Sequence, residues 1–157
     1  MNGNVAVYCD GLCEPMNPGG VATYGFVVFV NGEMIHQESG IVGEGTDMSN
    51  NVAEYSGLCA ALRWLKGRKL EQRGIVIFSD SRLLVNQMNR LWKTHEGLYL
   101  RWNQEAQRLA QEFPRLRFQW VSREQNMQAD TLSREAYARY SESKIVGTTG
   151  SGPRRAE

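Results

Sequence analysis

The chain has 157 residues, of which 41% are hydrophobic, a size and composition that suit a single domain with a buried core. Its formal net charge is +1, from 18 basic and 17 acidic residues, which excludes a strongly cationic protein held to nucleic acid by overall charge alone. A nucleic-acid-binding role would need a local basic patch or bound cations.

The cysteine content and the hydropathy restrict the compartment. Three cysteines, an odd number without paired spacing, argue against a disulfide framework and favour a reducing compartment. No apolar run approaches the about 20 residues of a membrane span, and the N-terminus lacks a signal-peptide pattern. We therefore expect a cytoplasmic protein without a membrane partner. We also expect a monomer, because no long apolar stripe is left over.

The first part of the chain predicts an antiparallel meander of three strands. A short β-type run is followed by a loop rich in Gly and Pro, and then by two longer runs joined by the hairpin signal Asn31-Gly32. The predicted strands are residues 5–9, 21–30 and 33–42, with the loop at residues 11–20.

The period of the apolar residues then changes to that of helices. Tyr55, Leu58 and Leu62 share one face of a predicted first helix. The wholly apolar run 75–78 suits a strand covered on both faces, and alternation over residues 116–120 predicts a last strand. Three further helices are predicted, at residues 84–91, 102–113 and 129–140.

The order of the predicted elements indicates an α/β fold. Three meander strands followed by β-α-β units imply one five-stranded mixed sheet, with an antiparallel meander, two parallel strands and helices packed on it. The composition turns to Ser, Gly, Thr and Arg near the C-terminus. We expect a domain at residues 1–141 and a disordered tail at residues 142–157.

Four carboxylates stand at the ends of predicted elements. Asp10 ends the first strand and Asp80 the fourth, and parallel neighbours would bring these ends to one edge of the sheet, where ligand sites form. Glu54 and Asp130 lie in the first turns of the first and last helices. Ligands that are all oxygens favour magnesium or manganese over zinc. Two such ions about 4 Å apart can activate a water and stabilise the leaving oxygen of a phosphodiester.

Each carboxylate also has a local explanation, so spacing alone leaves the choice open. The alternatives are a turn at Asp10-Gly11, a capping box formed by Asn51 and Glu54, an N-cap at Asp80 or Ser81, and an i,i+4 ion pair of Asp130 with Arg134.

Four segments are more specific together than singly. They are Tyr-Cys-Asp-Gly at 8–11 with Asn-Pro-Gly-Gly at 17–20, Asn-Asn-Val-Ala-Glu-Tyr at 50–55, Phe-Ser-Asp-Ser at 78–81, and Trp-Val-Ser-Arg-Glu-Gln-Asn at 120–126 with Ala-Asp-Thr-Leu at 129–132. In this order they resemble the motifs of type 1 ribonucleases H, and the resemblance covers residues 4–140.

The resemblance implies a ribonuclease H-like fold and a metal-dependent endonuclease. Such an enzyme hydrolyses the RNA strand of RNA–DNA hybrids and leaves 5′-phosphate and 3′-hydroxyl ends. It selects RNA through ribose 2′-hydroxyls around the cut. The catalytic residues, which hold two Mg²⁺ ions with Mn²⁺ as a substitute, would be Asp10, Glu54, Asp80 and Asp130.

The resemblance also implies substrate-binding residues. Four polar residues match loop positions that touch the hybrid: Asn17, Ser49, Asn50 and Asn51. The amides of Asn17 and Asn51 would contact sugars and base edges in the minor groove, and Ser49 would contact a phosphate of the DNA strand. Local capping or turn formation is the alternative for these polar residues. Arg123 is either a phosphate contact or a surface residue.

Three departures from the family pattern stand out. The loop before Asp130 lacks the His that many bacterial members carry, and Arg123 or Glu124 would take part of its role, or nothing does. No long basic segment follows Leu91, and we expect no hybrid-binding domain before Asn4. We therefore expect the short, archaeal-like subtype, with weaker and more salt-sensitive binding.

The sequence leaves two other functions open. The first is a nuclease of the same superfamily that acts on double-stranded RNA or branched DNA; the Asn-containing loops favour the hybrid instead. The second is a non-catalytic hybrid-binding module, which should have lost at least one of the four carboxylates.

Overall fold

The computed structural model describes the backbone of residues 4–156 and the side chains of residues 4–144. The elements are β1 Val5–Glu14, β2 Val21–Val30, β3 Glu33–Glu44, α1 Asn50–Gly67, β4 Ile75–Ser79, α2 Arg82–Met88, α3 Leu100–Ala110, β5 Leu116–Trp120, a 3₁₀ helix Arg123–Asn126, and α4 Met127–Ala156.

The five strands form one mixed sheet in the order β3-β2-β1-β4-β5. The pairs β1–β2 and β2–β3 are antiparallel, whereas β1–β4 and β4–β5 are parallel. This arrangement confirms the predicted meander with two added parallel strands.

One face of the sheet carries the main core. Leu58, Leu62 and Leu65 of α1 are fully buried and belong to the same cluster as Val7 of β1 and Ile77 of β4. Burial of each such side chain contributes about 1.5–3 kcal/mol, so this face supplies much of the stability. The predicted apolar stripe of the first helix is therefore the stripe that faces the sheet.

The last helix packs on the opposite face, over β2. A Cβ atom built on Gly25 would lie 2.6 Å from the carbonyl oxygen of Ala129 and 2.7 Å from Cβ of Leu132. Glycine at this position therefore allows the helix backbone to approach the strand closely. This contact brings the first turn of α4, which contains Asp130, to the same end of the sheet as Asp10.

The first strand is longer than predicted. Its parallel pairing with β4 ends at Tyr8 and Phe78, but its antiparallel pairing with β2 continues to Glu14 opposite Val21. The prediction that Asp10 ends the strand is therefore wrong, because β2 supplies hydrogen-bond partners beyond the point where β4 stops. Asp10 lies just past the end of the parallel ladder, at the edge expected for a ligand site.

The C-terminal region extends as α4 past the start of the predicted tail. Lys144 lies in this segment, and its Nζ is 2.9 Å from a carboxylate oxygen of Glu44 on β3. The side chains of residues 145–157 lie outside the described residues, and the boundary at residue 141 stays a prediction. Among the helices that the structure describes, none combines the length and the apolar character needed to cross a membrane.

Candidate metal centre and substrate cleft

Three carboxylates meet where the parallel ladder of β1 and β4 ends. Asp10 lies on β1, Asp80 directly follows β4, and Glu54 projects from α1. One oxygen atom of each carboxylate lies within 4.8 Å of the other two. The sequence predicts these three residues as metal ligands, and the structure brings them together.

Close contact between α1 and β1 places Glu54 in this cluster. A Cβ atom on Gly11 would lie 2.5 Å from the carbonyl carbon of Ala53 and 2.6 Å from the backbone nitrogen of Glu54. Only a residue without a side chain allows this approach. Gly11, singled out by sequence only as a turn residue, is thus a structural requirement of the site.

Glu54 lies deeper in its helix than predicted. The N-cap of α1 is Ser49, whose hydroxyl accepts a hydrogen bond from the backbone nitrogen of Val52 over 3.1 Å. The first turn contains no acidic residue. The first-turn placement of Glu54 is therefore wrong, and so is the capping box with Asn51, because the N-cap is Ser49, two residues before Asn51.

The local roles predicted for Asp80 and Asp130 differ in whether the structure shows them. Ser81, and not Asp80, is the N-cap of α2, where its hydroxyl accepts from Leu84. Asp130 does form the predicted ion pair, since Nε of Arg134 lies 2.9 Å from its Oδ2. Asp130 also lines the same cleft as the three clustered carboxylates, although it is not among the three whose oxygens converge.

Burial and mutual repulsion disfavour the charged forms of the clustered carboxyl groups. Burial raises the pKa of Asp10 to about 8, and the charge of Asp80 adds to the effect. Burial raises the pKa of Glu54 well above its usual range, again with contributions from Asp10 and Asp80, while a hydrogen bond from Ser81 and the charge of Arg123 oppose the shift. The pKa of Asp80 is also raised, because the effect of burial exceeds the opposing effect of the Arg123 charge.

These observations fit a site for divalent cations. The Oε2 atom of Glu54 is shielded from solvent and has no hydrogen-bond partner among the described residues. Buried polar atoms are rarely left unpaired, so a ligand is expected there. The donors are all carboxylate oxygens, which hard cations such as Mg²⁺ and Mn²⁺ prefer.

The carboxylates form the floor of a polar cleft of about 330 Å³. Arg123 and Arg134 stand on its walls together with Asn17 and Asn50. The sequence predicts Arg134 only as a surface ion-pair partner of Asp130, four residues away, and does not indicate its place in the cleft.

Two of the predicted substrate-binding residues form hydrogen bonds with the backbone of neighbouring loops. Oδ1 of Asn17 accepts from the backbone nitrogen of Asn50 over 2.9 Å, and Oδ1 of Asn50 accepts from the backbone nitrogen of Cys13 over 2.8 Å. Both amides therefore hold their loops in place through their oxygens. Ser49 and Asn51 are not among the described residues that line the cleft.

The sequence is similar to a known protein family and to a mycobacterial protein. Residues 20–136 match the family model described as "Reverse transcriptase-like". The chain is 37% identical over 122 residues to the bifunctional protein Rv2228c of Mycobacterium tuberculosis, an alignment that covers 76% of this chain and 32% of that protein. The chain thus spans about a third of the length of this curated relative.

Solved structures agree in sequence and in fold. The N-terminal RNase H domain of rv2228c from Mycobacterium tuberculosis, solved as a fusion with maltose-binding protein, has a TM-score of 0.78 at 33% identity and covers 90% of this chain and 99% of that chain. LC11-RNase H1 in complex with an RNA/DNA hybrid has a TM-score of 0.78 at 32% identity, covering 87% and 98%. With the converging carboxylates and the ribonuclease H topology, these matches show that the chain belongs to the type 1 ribonuclease H family.

Proposed function

We propose that this chain is a metal-dependent endonuclease that hydrolyses the RNA strand of RNA–DNA hybrids and leaves 5′-phosphate and 3′-hydroxyl ends. The convergence of Asp10, Glu54 and Asp80, with oxygens within 4.8 Å of one another, carries the proposal. The hybrid bound to the similar LC11-RNase H1 supports the choice of substrate.

The metal-binding residues would be Asp10, Glu54, Asp80 and Asp130. Members of the ribonuclease H family depend on divalent metals, and we propose two Mg²⁺ ions, with Mn²⁺ as a substitute. When bound, such ions lower the pKa of a water molecule and neutralise charge on the scissile phosphate. The chain's own contribution is preorganisation, since the carboxylates stand on separate, packed elements that fix their positions before the substrate arrives.

The walls of the cleft supply the contacts to nucleic acid. The exposed Arg123 lies close enough to Glu54 and Asp80 for its charge to oppose the burial-driven rise in pKa of both carboxyl groups, so this charge is available beside the place where a phosphate would bind. The amides of Asn17 and Asn50 use their oxygens internally, which leaves their Nδ2 donors for sugar and base-edge acceptors. We also propose contacts of Ser49 and Asn51 with the hybrid outside the cleft, next to Asn50 at the start of α1.

The remaining parts of the proposal concern the setting of the enzyme. We propose a monomer that works in the cytoplasm, with residues 1–141 as the catalytic domain. The three cysteines are buried free thiols, which supports a reducing compartment.

The direct test is cleavage of an end-labelled RNA–DNA hybrid by the full chain with Mg²⁺, with Mn²⁺ and with a chelator. Double-stranded RNA, double-stranded DNA and a branched DNA junction serve as parallel substrates. We expect metal-dependent cutting of the RNA strand of the hybrid. Cutting of double-stranded RNA or of the junction, but not of the hybrid, would replace the proposed substrate, and metal-independent binding without cutting would indicate a binding module.

A matched pair of variants ties the activity to the cluster. Asp80→Asn removes one charge from the cluster, and Asp47→Asn makes the same change on an exposed loop residue outside the cleft. We expect Asp80→Asn to lower kcat by at least about a thousandfold, because it removes a ligand of the cations that stabilise the transition state. Asp47→Asn should cut like the unmodified chain.

A further inference from the structure

Arg134 makes the closest charged contact of any basic residue in the cleft. Its Nε atom lies 2.9 Å from Oδ2 of Asp130, one helical turn earlier on α4. The Asp130 side chain is 13% exposed and the Arg134 side chain 56%, so the carboxylate is largely enclosed while the guanidinium reaches the open side of the cleft. An ion pair in this position is accessible to a competing cation.

The charges in the cleft divide between its two arginines. The charge of Arg123 acts on Glu54 and Asp80, where it opposes the rise in carboxyl pKa that burial causes. The pKa of Arg134 is raised first by its hydrogen bond and charge contact with Asp130, and further by the charges of Glu14 and Asp10. Arg134 therefore neutralises the carboxylate that does not belong to the converging three.

We infer that Arg134 is a positioning residue: it acts as the resident counter-ion of Asp130 when metal is absent, and a divalent cation must take its place on Oδ2 before Asp130 completes the four-carboxylate site. This inference rests on the proposed function of the cleft. Without metal, the charge of Arg134 balances the charge of Asp130. The same ion pair weakens the binding of the last cation, because the cation has to displace the arginine.

The size of the expected effect follows from the exposure of the pair. Ion pairs that are partly open to solvent are worth at most about fivefold in an equilibrium constant. Removal of Arg134 should therefore tighten divalent-metal binding by about twofold to fivefold. The concentration of Mg²⁺ that gives half-maximal cleavage of the hybrid should fall by a similar factor.

The test is calorimetric titration of Mn²⁺ into the full chain, the Arg134→Gln variant and the matched control Arg139→Gln. Arg139 lies on the same helix but donates to Oγ of Ser39 over 2.9 Å, away from the cleft. We expect tighter binding for Arg134→Gln, an intermediate value for Arg134→Lys, and no change for Arg139→Gln. Thermal unfolding of each variant, recorded in the same buffer, checks that the titrated protein is folded.

A double-mutant cycle makes the inference specific to Asp130. In the Asp130→Asn background, the loss of Arg134 should no longer tighten Mn²⁺ binding, because the carboxylate that it neutralises is gone. Unchanged or weaker binding by Arg134→Gln in the otherwise unmodified chain would overturn the inference, as would an equal gain in both backgrounds. Because the titration needs no substrate, it decides the role of Arg134 even if the chain does not cut the hybrid. If the unmodified chain cuts the hybrid but Arg134→Gln binds Mn²⁺ with the affinity of the unmodified chain, this inference is rejected and the proposed function stands.

Discussion

The side-chain amide of Asn126 donates a hydrogen bond to the backbone carbonyl of Cys9 over 2.9 Å, a buried contact between residues 117 positions apart in the sequence. Cys9 precedes Asp10, and Asn126 ends the 3₁₀ helix that leads into α4 and Asp130. This single contact therefore ties the two segments that carry Asp10 and Asp130.

The Asn126→Ala substitution should affect both stability and catalysis. It leaves a buried carbonyl without its donor, which costs about 1–3 kcal/mol of unfolding free energy. It also releases Asp130 from its fixed position, so we expect kcat at saturating Mg²⁺ to fall by about tenfold, since small displacements of catalytic groups carry large rate penalties. Urea unfolding and steady-state cleavage measure the two effects.

An exposed asparagine provides the control for this prediction. Nδ2 of Asn89 donates to the carbonyl oxygen of Phe118 over 3.1 Å on the exposed side of the molecule. Asn89→Ala removes the same chemical group but should change stability by less than about 0.5 kcal/mol and leave kcat unchanged. A destabilised Asn126→Ala variant with normal kcat would show that the contact supports the fold without positioning Asp130.

The Gly11→Ala substitution should separate α1 from β1 at the site. The added Cβ would overlap the backbone of Ala53 and Glu54, and backbone atoms cannot rotate away as a side chain can. We expect a loss of about 2–4 kcal/mol in unfolding free energy and weaker Mn²⁺ binding, because Glu54 moves with its helix. Denaturant unfolding and Mn²⁺ titration measure both consequences.

Gly67→Ala is the matched control for the effect of an added methyl group. Gly67 ends α1, and a Cβ atom there would meet nothing within 4 Å. Because alanine favours helix over glycine, this variant should be as stable as the unmodified chain or slightly more stable. Equal stability of the two variants would contradict the steric argument for Gly11.

Much of the fold was accessible from local sequence patterns. The hairpin signal Asn31-Gly32 forms a turn in which both residues have positive φ, at 52° and 82°, as the type I′ geometry requires. The apolar stripe of Leu58, Leu62 and Leu65 marked the buried face of α1. The apolar run of β4 predicted a strand covered on both faces, and the strand lies inside the sheet with one face buried and the other half-buried. In these cases one local pattern determines which face is buried, so no tertiary information is needed.

Other features depend on distances that no local pattern contains. The stripe that predicts a second helix through Leu91 is wrong at its end, because α2 stops at Met88 and Arg90 has a φ of 61°, which leaves Leu91 72% exposed. The extension of β1 depends on pairing with β2. The role of Arg134 in the cleft depends on where α4 crosses the sheet, which a spacing of four residues does not reveal.

The Gln87→Leu substitution should loosen the segment between α2 and α3. The buried Gln87 side chain accepts a 2.6 Å hydrogen bond from the Tyr55 hydroxyl and donates to the Tyr99 hydroxyl over 3.0 Å and to the Lys93 carbonyl over 3.1 Å. Leucine cannot form any of these three hydrogen bonds, so we expect a loss of about 2–4 kcal/mol in unfolding free energy. Hydrogen exchange should be faster in residues 89–99.

The control for this network is Gln104→Leu on the exposed face of α3. It makes the same change of side chain where water replaces any lost contact, so stability and hydrogen exchange should remain as in the unmodified chain. If Gln87→Leu unfolds at the same urea concentration as Gln104→Leu, the buried hydrogen bonds contribute nothing net. In that case leucine packing offsets their loss.

The stability of the metal-free protein should fall as the pH rises from about 4 to about 8. The pKa of Asp10 is raised from 3.8 to about 8 in the folded chain, mainly by burial and then by the charge of Asp80. Between these two values the folded state binds more protons than the unfolded state, so each increase in pH favours unfolding. Urea unfolding across this pH range, in the presence of a chelator, measures the slope.

Asp10→Asn tests the origin of this slope. The variant cannot acquire the buried charge, so its stability should vary less with pH and should exceed that of the unmodified metal-free chain by about 1–3 kcal/mol at pH 9. It should also abolish cleavage of the hybrid while the fold remains intact. Asp47→Asn, on an exposed loop, should retain both the slope and the activity.

Excess Mg²⁺ should flatten the slope in the unmodified chain, because cations that bind only the folded state neutralise the same charges. A slope that is equally steep in Asp10→Asn would assign the repulsion to the remaining carboxyl groups, Glu54 first among them.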